Sequence, residues 1–347
     1  MSSKANQRQE SGNNSLNLQA ASISFNQGVS YSEARQIALD VFSSNFVKLA
    51  DEAANIAETR VRQFIDNYLD ELEARQPEAL VSAKDPDMQY ILYEAQKMYA
   101  RTGDDFLAEL LIELLVKRAP LRKRSFVQVV LNEALETIGK ITSPQMYALS
   151  VIFLVDNLLH ERPDNIDEFL KLMNSYLIPM SIEMPNISSA YLYLEYTGCV
   201  RSGFSGTSFI DILRMNYMHI FSNIISSENY LQLSTEIPMI DEFLRTCQGG
   251  YKFRVKDLNE FDEILGKVGI QSDDEIRNKR KLFTEFVADS GEVRNFLIQN
   301  CPNVEILFDR WKRANNYRLT SVGFAIAQTH LKKTFGLSYR LSDWLSL

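Results

Sequence analysis

Cysteine and histidine are scarce, three of each in 347 residues. Cys199, Cys247 and Cys301 are far apart, odd in number and form no C-x-x-C. That spacing excludes a disulfide framework and a cysteine-rich zinc site, and a reducing cytoplasm is the expected location. His160, His219 and His330 each stand apart from other ligand types, and His160-Glu161 does not continue as H-E-x-x-H, so no metal site is expected. Long apolar runs are missing as well. Met146 to Val155, broken by Ser150, falls far short of the ~20 residues that cross a bilayer, and MSSKANQRQESGNNS at the start contains no apolar signal region. Neither a G-x-S-x-G elbow nor a Walker or G-x-G-x-x-G loop occurs, so the sequence names no catalytic residue and no cofactor.

What is present is an ordinary globular composition, 45% apolar and 24% charged, with length for two or three domains. The net charge of −8 is uneven. Residues 251–347 hold 16 Lys+Arg against 13 Asp+Glu, leaving 21 against 32 in residues 1–250. An acidic body argues against general nucleic-acid affinity, while the C-terminal part retains cations for a local basic face.

Eighteen of the first 30 residues are Asn, Gln, Ser or Gly, a composition that builds no core. Within this stretch Leu16 and Leu18 alternate with Asn17 and Gln19, and Ile23 and Phe25 with Ser22 and Ser24, a strand period whose phase flips at Ala20-Ala21. From Ser30 the period changes to that of a helix. Ser30 and Glu33 have capping-box spacing, and apolar residues recur every three or four positions until Pro77, predicting one amphipathic helix of roughly 65 Å over residues 30–76. Shorter helices start at Asp85-Pro86, Asp104, Ser125 and Ser143-Pro144, and others follow near 165–176, 188–198 and 207–225. After Gly249-Gly250 come a short strand candidate, four further helices, and Tyr317 to Gly323, where an extended stretch enters a helix capped by Thr320. The abundant aromatics, 20 Phe and 15 Tyr, read as core and helix packing.

Candidate contacts are few. Arg201-Ser-Gly203-Phe-Ser-Gly206-Thr-Ser208 precedes a helix and has the glycines, hydroxyls and arginine that suit an anion, although an interhelical turn is the default reading. The basic run Lys117 to Arg124 reads first as a helix C-terminus and its linker, where cations suit the helix dipole, and Arg277-Asn-Lys279-Arg280-Lys281 as a solvated helix face. The Y-x-L-T-x-x-G pattern at 317–323 resembles the strand-to-helix step of winged-helix domains, with Lys332, Lys333 and Arg340 nearby. Arg201, Lys279, Arg280, Lys332 and Lys333 are therefore the candidate anion or nucleic-acid contacts, with nucleic acid not the favoured partner.

The run Ser11-Gly-Asn-Asn-Ser15-Leu-Asn-Leu-Gln-Ala20 resembles the N-terminal tag of assorted bacterial proteins associated with anti-phage defence. Tyr31 to Phe42, Lys84 to Gln96 and Leu319 to Ala327 are similar to an uncharacterised bacterial family of helical proteins of this size. The resemblance spans nearly the whole chain, implies a contextual link to defence and supplies no catalytic residues.

These readings predict a mainly α protein: a multi-helix array, open to solenoid-like stacking, with a short N-terminal β segment and a small winged-helix-like C-terminal region. The expected division is a polar tag (1–29), the long helix (30–76), the array (77–250) and an α+β module (251–347). The expected function is non-enzymatic self-assembly as a sensor or scaffold, forming a homo-oligomer and docking a macromolecular partner. Asn13, Asn14, Leu16, Asn17, Leu18, Gln19, Ile23 and Phe25 are the expected self-association residues, since Asn and Gln ladders with alternating apolar side chains stack between chains. A nucleic-acid binder is the second expectation, and an enzyme with a site assembled from scattered residues the third.

Overall fold

Punctuation visible in the sequence fixes most helix ends in the computed structural model, which describes residues 29–45, 51–121, 123–157, 163–203 and 206–339. The tag residues Asn13 to Phe25 lie outside this set. At the start of α1 (Tyr31–Asn45) the Ser30 N–H donates to Glu33 Oε2 at 2.9 Å and the Glu33 N–H donates to Ser30 Oγ at 3.2 Å, completing the anticipated capping box. The helix does not continue as one rod into α2 (Asp51–Arg75). Tyr31 donates to Asp70 and Arg35 to Asp66, so α1 lies antiparallel along α2. The apolar stripe explains this correction: Ala34, Ala38 and Phe42 are buried with Val61, Ile65 and Leu69, burial that an extended rod would forgo.

The chain continues through α3 (Pro86–Thr102), α4 (Asp105–Arg118), α5 (Phe126–Ile138) and α6 (Ser143–Asn157). Asp85, Asp104 and Ser125 accept the capping N–H groups of α3, α4 and α5. Next come α7 (Ile166–Leu172) and α8 (Ile178–Glu183), joined through a π turn at Met173–Leu177. Pro179 has no N–H for the usual bond to residue 175, and a widened turn precedes it. Then follow α9 (Ser188–Tyr196), β1 (Val200–Ser202), α10 (Phe209–Asn216) and α11 (Met218–Phe221). Residues 222–287 contribute α12 (Ser227–Glu236), β2 (Leu244–Cys247), β3 (Gly250–Phe253), α13 (Leu258–Lys267) and α14 (Asp273–Thr284). The chain closes with α15 (Ser290–Asn300), α16 (Val304–Ala314), β4 (Tyr317–Leu319) and α17 (Ser321–Phe335). Seventeen α-helices and two small antiparallel sheets, β1–β4 and β2–β3, make the described residues mainly α.

Two apolar cores divide these elements. The larger joins residues from Val29 to Phe221 with residues from Val293 to Leu331, and the smaller gathers Met218 and Ile225 to Val287. The boundary expected at 250/251 therefore shifts. Gln248 and Gly249, the latter at φ 92°, turn the β2–β3 hairpin and Gly250, at φ 151°, opens β3, so this pair of glycines is no linker, and the apolar side chains after 288 return to the first core.

Helix α17 shows why. Ala325 to Leu331 are all buried, and the helix packs against α4, α5 and α6. A solenoid stacks only sequence neighbours, whereas here the last helix fills the space between early ones. Its first turn fits closely: the Thr320 N–H donates to the Cys199 carbonyl at 3.0 Å, and a Cβ on Gly323 would sit 2.0 Å from that same oxygen. The glycine of the Y-x-L-T-x-x-G pattern is thus required by packing against residue 199.

Candidate functional site

Helix α9 has two unlike sides. Tyr191 and Leu194 are buried, with Tyr191 stacked on Tyr317 at 5.7 Å. Leu192, Tyr193 and Tyr196, at helical spacing i, i+1 and i+4, turn outward at 59%, 43% and 83% exposure, and the two tyrosine rings lie 5.8 Å apart. Ile187 just before the helix and Ile182 on α8 are exposed too. Only Glu183 and Glu195 carry charge between Ile182 and Tyr196, and the Ser202 hydroxyl and then the Ser202 N–H, at 2.5 and 2.8 Å, donate to Glu195 and hold its carboxyl below the usual range. These large apolar groups are concentrated on one weakly charged helix face rather than scattered singly over the surface. Reading every aromatic as core misses this face; the signal available was the unbroken apolar run from Ala190 to Leu194, which puts large side chains on more than one side of a nine-residue helix.

The chemically active side chains are instead sunk. His330 Nδ1 lies 2.8 Å from Ser150 Oγ, the nearest approach to a nucleophile and base pair, but both residues are 0% exposed and the imidazole is edge-on to Phe106 and Tyr147. Burial brings His330 down to about 4. Cys199 and Cys301 are buried and their thiols are pushed up by desolvation. His219, buried, has its Nε2 2.9 Å from the Pro163 carbonyl oxygen.

One polar centre ties the ends of the first core together. Glu113, 1% exposed, receives Arg75 Nη1 at 2.6 Å and Lys332 Nζ at 2.6 Å, with Lys117 Nζ at 3.7 Å. Burial would raise the Glu113 carboxyl, but the bonds from Arg75 and Lys332 outweigh it and hold it low. Lys117, desolvated and beside two other cations, comes down to about 8. Lys332, expected as a nucleic-acid contact, is therefore an internal counter-ion.

The other expected contacts are dispersed. Arg201 sits exposed on β1 opposite Arg318, Lys279 pairs with Glu236 at 3.3 Å, and Arg280 Nε donates to Asp262 at 2.8 Å. Lys279 and Arg280 belong to α14, which packs in the smaller core, and Lys332 and Lys333 to α17 of the larger one. Ser208 caps α10 by accepting the Asp211 N–H, and Gly206 packs against the Asn315 side chain.

A family model described only as ":-like" matches residues 28–345. The chain belongs to that family. No curated protein and no solved structure matches it. Among the described residues no helix is long and apolar enough to cross a membrane.

Proposed function

We propose that this family member is a non-enzymatic protein that assembles with copies of itself, acting as a sensor or scaffold in bacterial anti-phage defence within the cytoplasm. The exposed face of α9 carries the reading. Leu192, Tyr193 and Tyr196 supply aromatic and aliphatic area of the kind that anchors interfaces, and a second copy of the chain is the proposed occupant. The tag at 11–25 adds a second self-pairing element through its Asn-rich alternation. The defence assignment rests on the likeness of Ser11 to Ala20 to tags of defence-associated proteins. Three free cysteines agree with a reducing compartment. A nucleic-acid role draws less support, because Lys279, Arg280 and Lys332 are engaged by Glu236, Asp262 and Glu113.

Light scattering after size exclusion tests the reading on three forms: the intact chain, a chain lacking residues 1–28, and Leu192→Asp/Tyr196→Asp. A multimer that loses mass in both altered forms is expected. An intact chain that stays monomeric at micromolar concentration overturns the proposal.

A further inference from the structure

The Glu113 centre gathers three cations around one carboxylate, more positive charge than it balances. That carboxylate is already engaged. Its Oε2 accepts from Arg75 Nη1 at 2.6 Å, and its Oε1 accepts from Lys332 Nζ at 2.6 Å and from Arg75 Nη2 at 3.3 Å. Lys117 is left over. Its Nζ stands 3.7 Å from Oε1, outside hydrogen-bond distance, and its one hydrogen bond among the described residues is a long 3.4 Å approach to Thr329 Oγ1. An ammonium has three N–H donors to satisfy, yet only 24% of this side chain reaches solvent. Releasing the proton removes both the unmet donors and the repulsion from Arg75 and Lys332. The depressed titration of Lys117, about 8, follows from the same burial and the same neighbours.

A neutral lysine amine is a nucleophile, whereas an ordinary lysine stays protonated at that pH. The surroundings restrict what it reacts with. Limited exposure favours a small, uncharged electrophile. Arg75 and Lys332 still outnumber Glu113 once Lys117 is neutral, so a product carrying negative charge is favoured over a neutral one. An acyl group would give a neutral amide and leave that excess unanswered. Carbon dioxide is small and uncharged, and it becomes an anion on addition to an amine.

We propose that Lys117 is a carbamylation site, where Nζ adds reversibly to dissolved carbon dioxide and the resulting carbamate is held by Arg75 and Lys332. The ammonium first gives a proton to water. The amine lone pair then forms the N–C bond, one C–O π pair moves onto oxygen, and a second nitrogen proton leaves to solvent. Two anions then face two cations across α2, α4 and α17. The groups facing Lys117 are Glu113 on its own helix, Arg75 on α2, and Lys332 and Thr329 on α17, so occupancy rises with pH through the Lys117 titration. None of these helices is α9, and the assembly reading stands or falls separately.

Carbon-13 NMR of the full-length protein, labelled with nitrogen-15 at lysine and held in carbon-13 bicarbonate at about pH 8, tests the assignment. One carbamate carbon per chain, split by its bond to nitrogen-15, is expected. The splitting separates it from any carbamate on the unlabelled α-amino group, which titrates nearby. The signal is lost in Lys117→Met and in Lys117→Arg, and the arginine variant, which keeps the charge, decides alone should the methionine variant lose its circular dichroism. Lys332→Gln, at a position 30% exposed, lowers the occupancy about fivefold, the size of one partly exposed charge pair. Absence of a split resonance, its survival in a folded Lys117 variant, unchanged occupancy in Lys332→Gln, or only an unsplit signal from bicarbonate bound as an ion would each overturn the proposal.

Discussion

Glu113 shares its two oxygens among an arginine and two lysines from three helices, α2, α4 and α17. Removing its charge leaves three cations facing one another. Each keeps a quarter to a third of its side chain in solvent, so the loss falls below that of a fully buried broken pair. Glu113→Gln should destabilise by about 2 kcal/mol in urea unfolding at neutral pH, with a smaller loss in high salt. A second residue-scale effect sets two titrations against each other. His330 stays neutral in the fold until about pH 4, while the unfolded chain protonates near 6.5, so its contribution is lost as pH falls through that window. Asp156, raised by burial to about 6 from 3.8, runs the other way, and its contribution is lost as pH rises from about 4 to 6. Each amounts to roughly 3 kcal/mol, so they offset over the shared range. Relative to wild type, His330→Gln should gain stability on acidification from about pH 6.5 to 4.5 and Asp156→Asn should lose it, by about 2 kcal/mol each in denaturation midpoints converted to free energy. Parallel slopes in all three proteins would show that neither group titrates as described. Little of this was legible in the sequence, because Ser150 and His330, or Glu113 and Lys332, meet only through the fold.

At the scale of elements the sequence was more informative, since caps are local. Ser30 with Glu33, Asp85 before Pro86, Ser125 and Thr320 mark helix starts as spacing predicted, and the left-handed Gly103 and Gly336 close α3 and α17. Orientation was not legible: periodicity over 31–75 reports that one side is apolar, and only the partner decides whether that side meets another chain or its own preceding segment. Helix α9 is the complementary case, with apolar residues on both sides and partners for one. Leu192→Asp with Tyr196→Asp should lower the assembly mass while leaving the melting temperature within about 2 °C, because exposed positions contribute little to folding. A large fall in melting temperature instead would mean that the face is covered within the chain.

For the whole molecule, the division into two cores was hidden because it depends on contacts between residues far apart in the chain. The smaller core holds a cluster of phenylalanines among its aliphatic side chains: Phe283 stacks on Phe253 at 3.9 Å and meets Phe261 at 4.5 Å, all fully buried. This lobe joins the larger body where its two connecting segments lie side by side. Ser222 bridges to Val287, the Asn223 N–H donates to the Phe286 carbonyl, and the Ala288 N–H donates to the Phe221 carbonyl at 2.8 Å. From α10, Arg214 donates to the Ala288 carbonyl at 2.7 Å and braces this base. Bridged residues lie only about 5 Å apart between Cα atoms, so replacing residues 223–286 by a short Gly-Ser linker should leave the larger body folded. Circular dichroism and a single cooperative melt check this, and a molten product would show that the bodies fold as one.

The paired base also decides how the chain carries force. Tension applied at the two ends of the larger body reaches the lobe only after the Phe221–Ala288 and Asn223–Phe286 bonds part, so the lobe is mechanically shielded while its host is intact. A pull exerted through the lobe itself instead loads those bonds together with the Met218–Lys256 backbone bond and the Lys256–Asp164 ion pair, so the lobe gives way at its base.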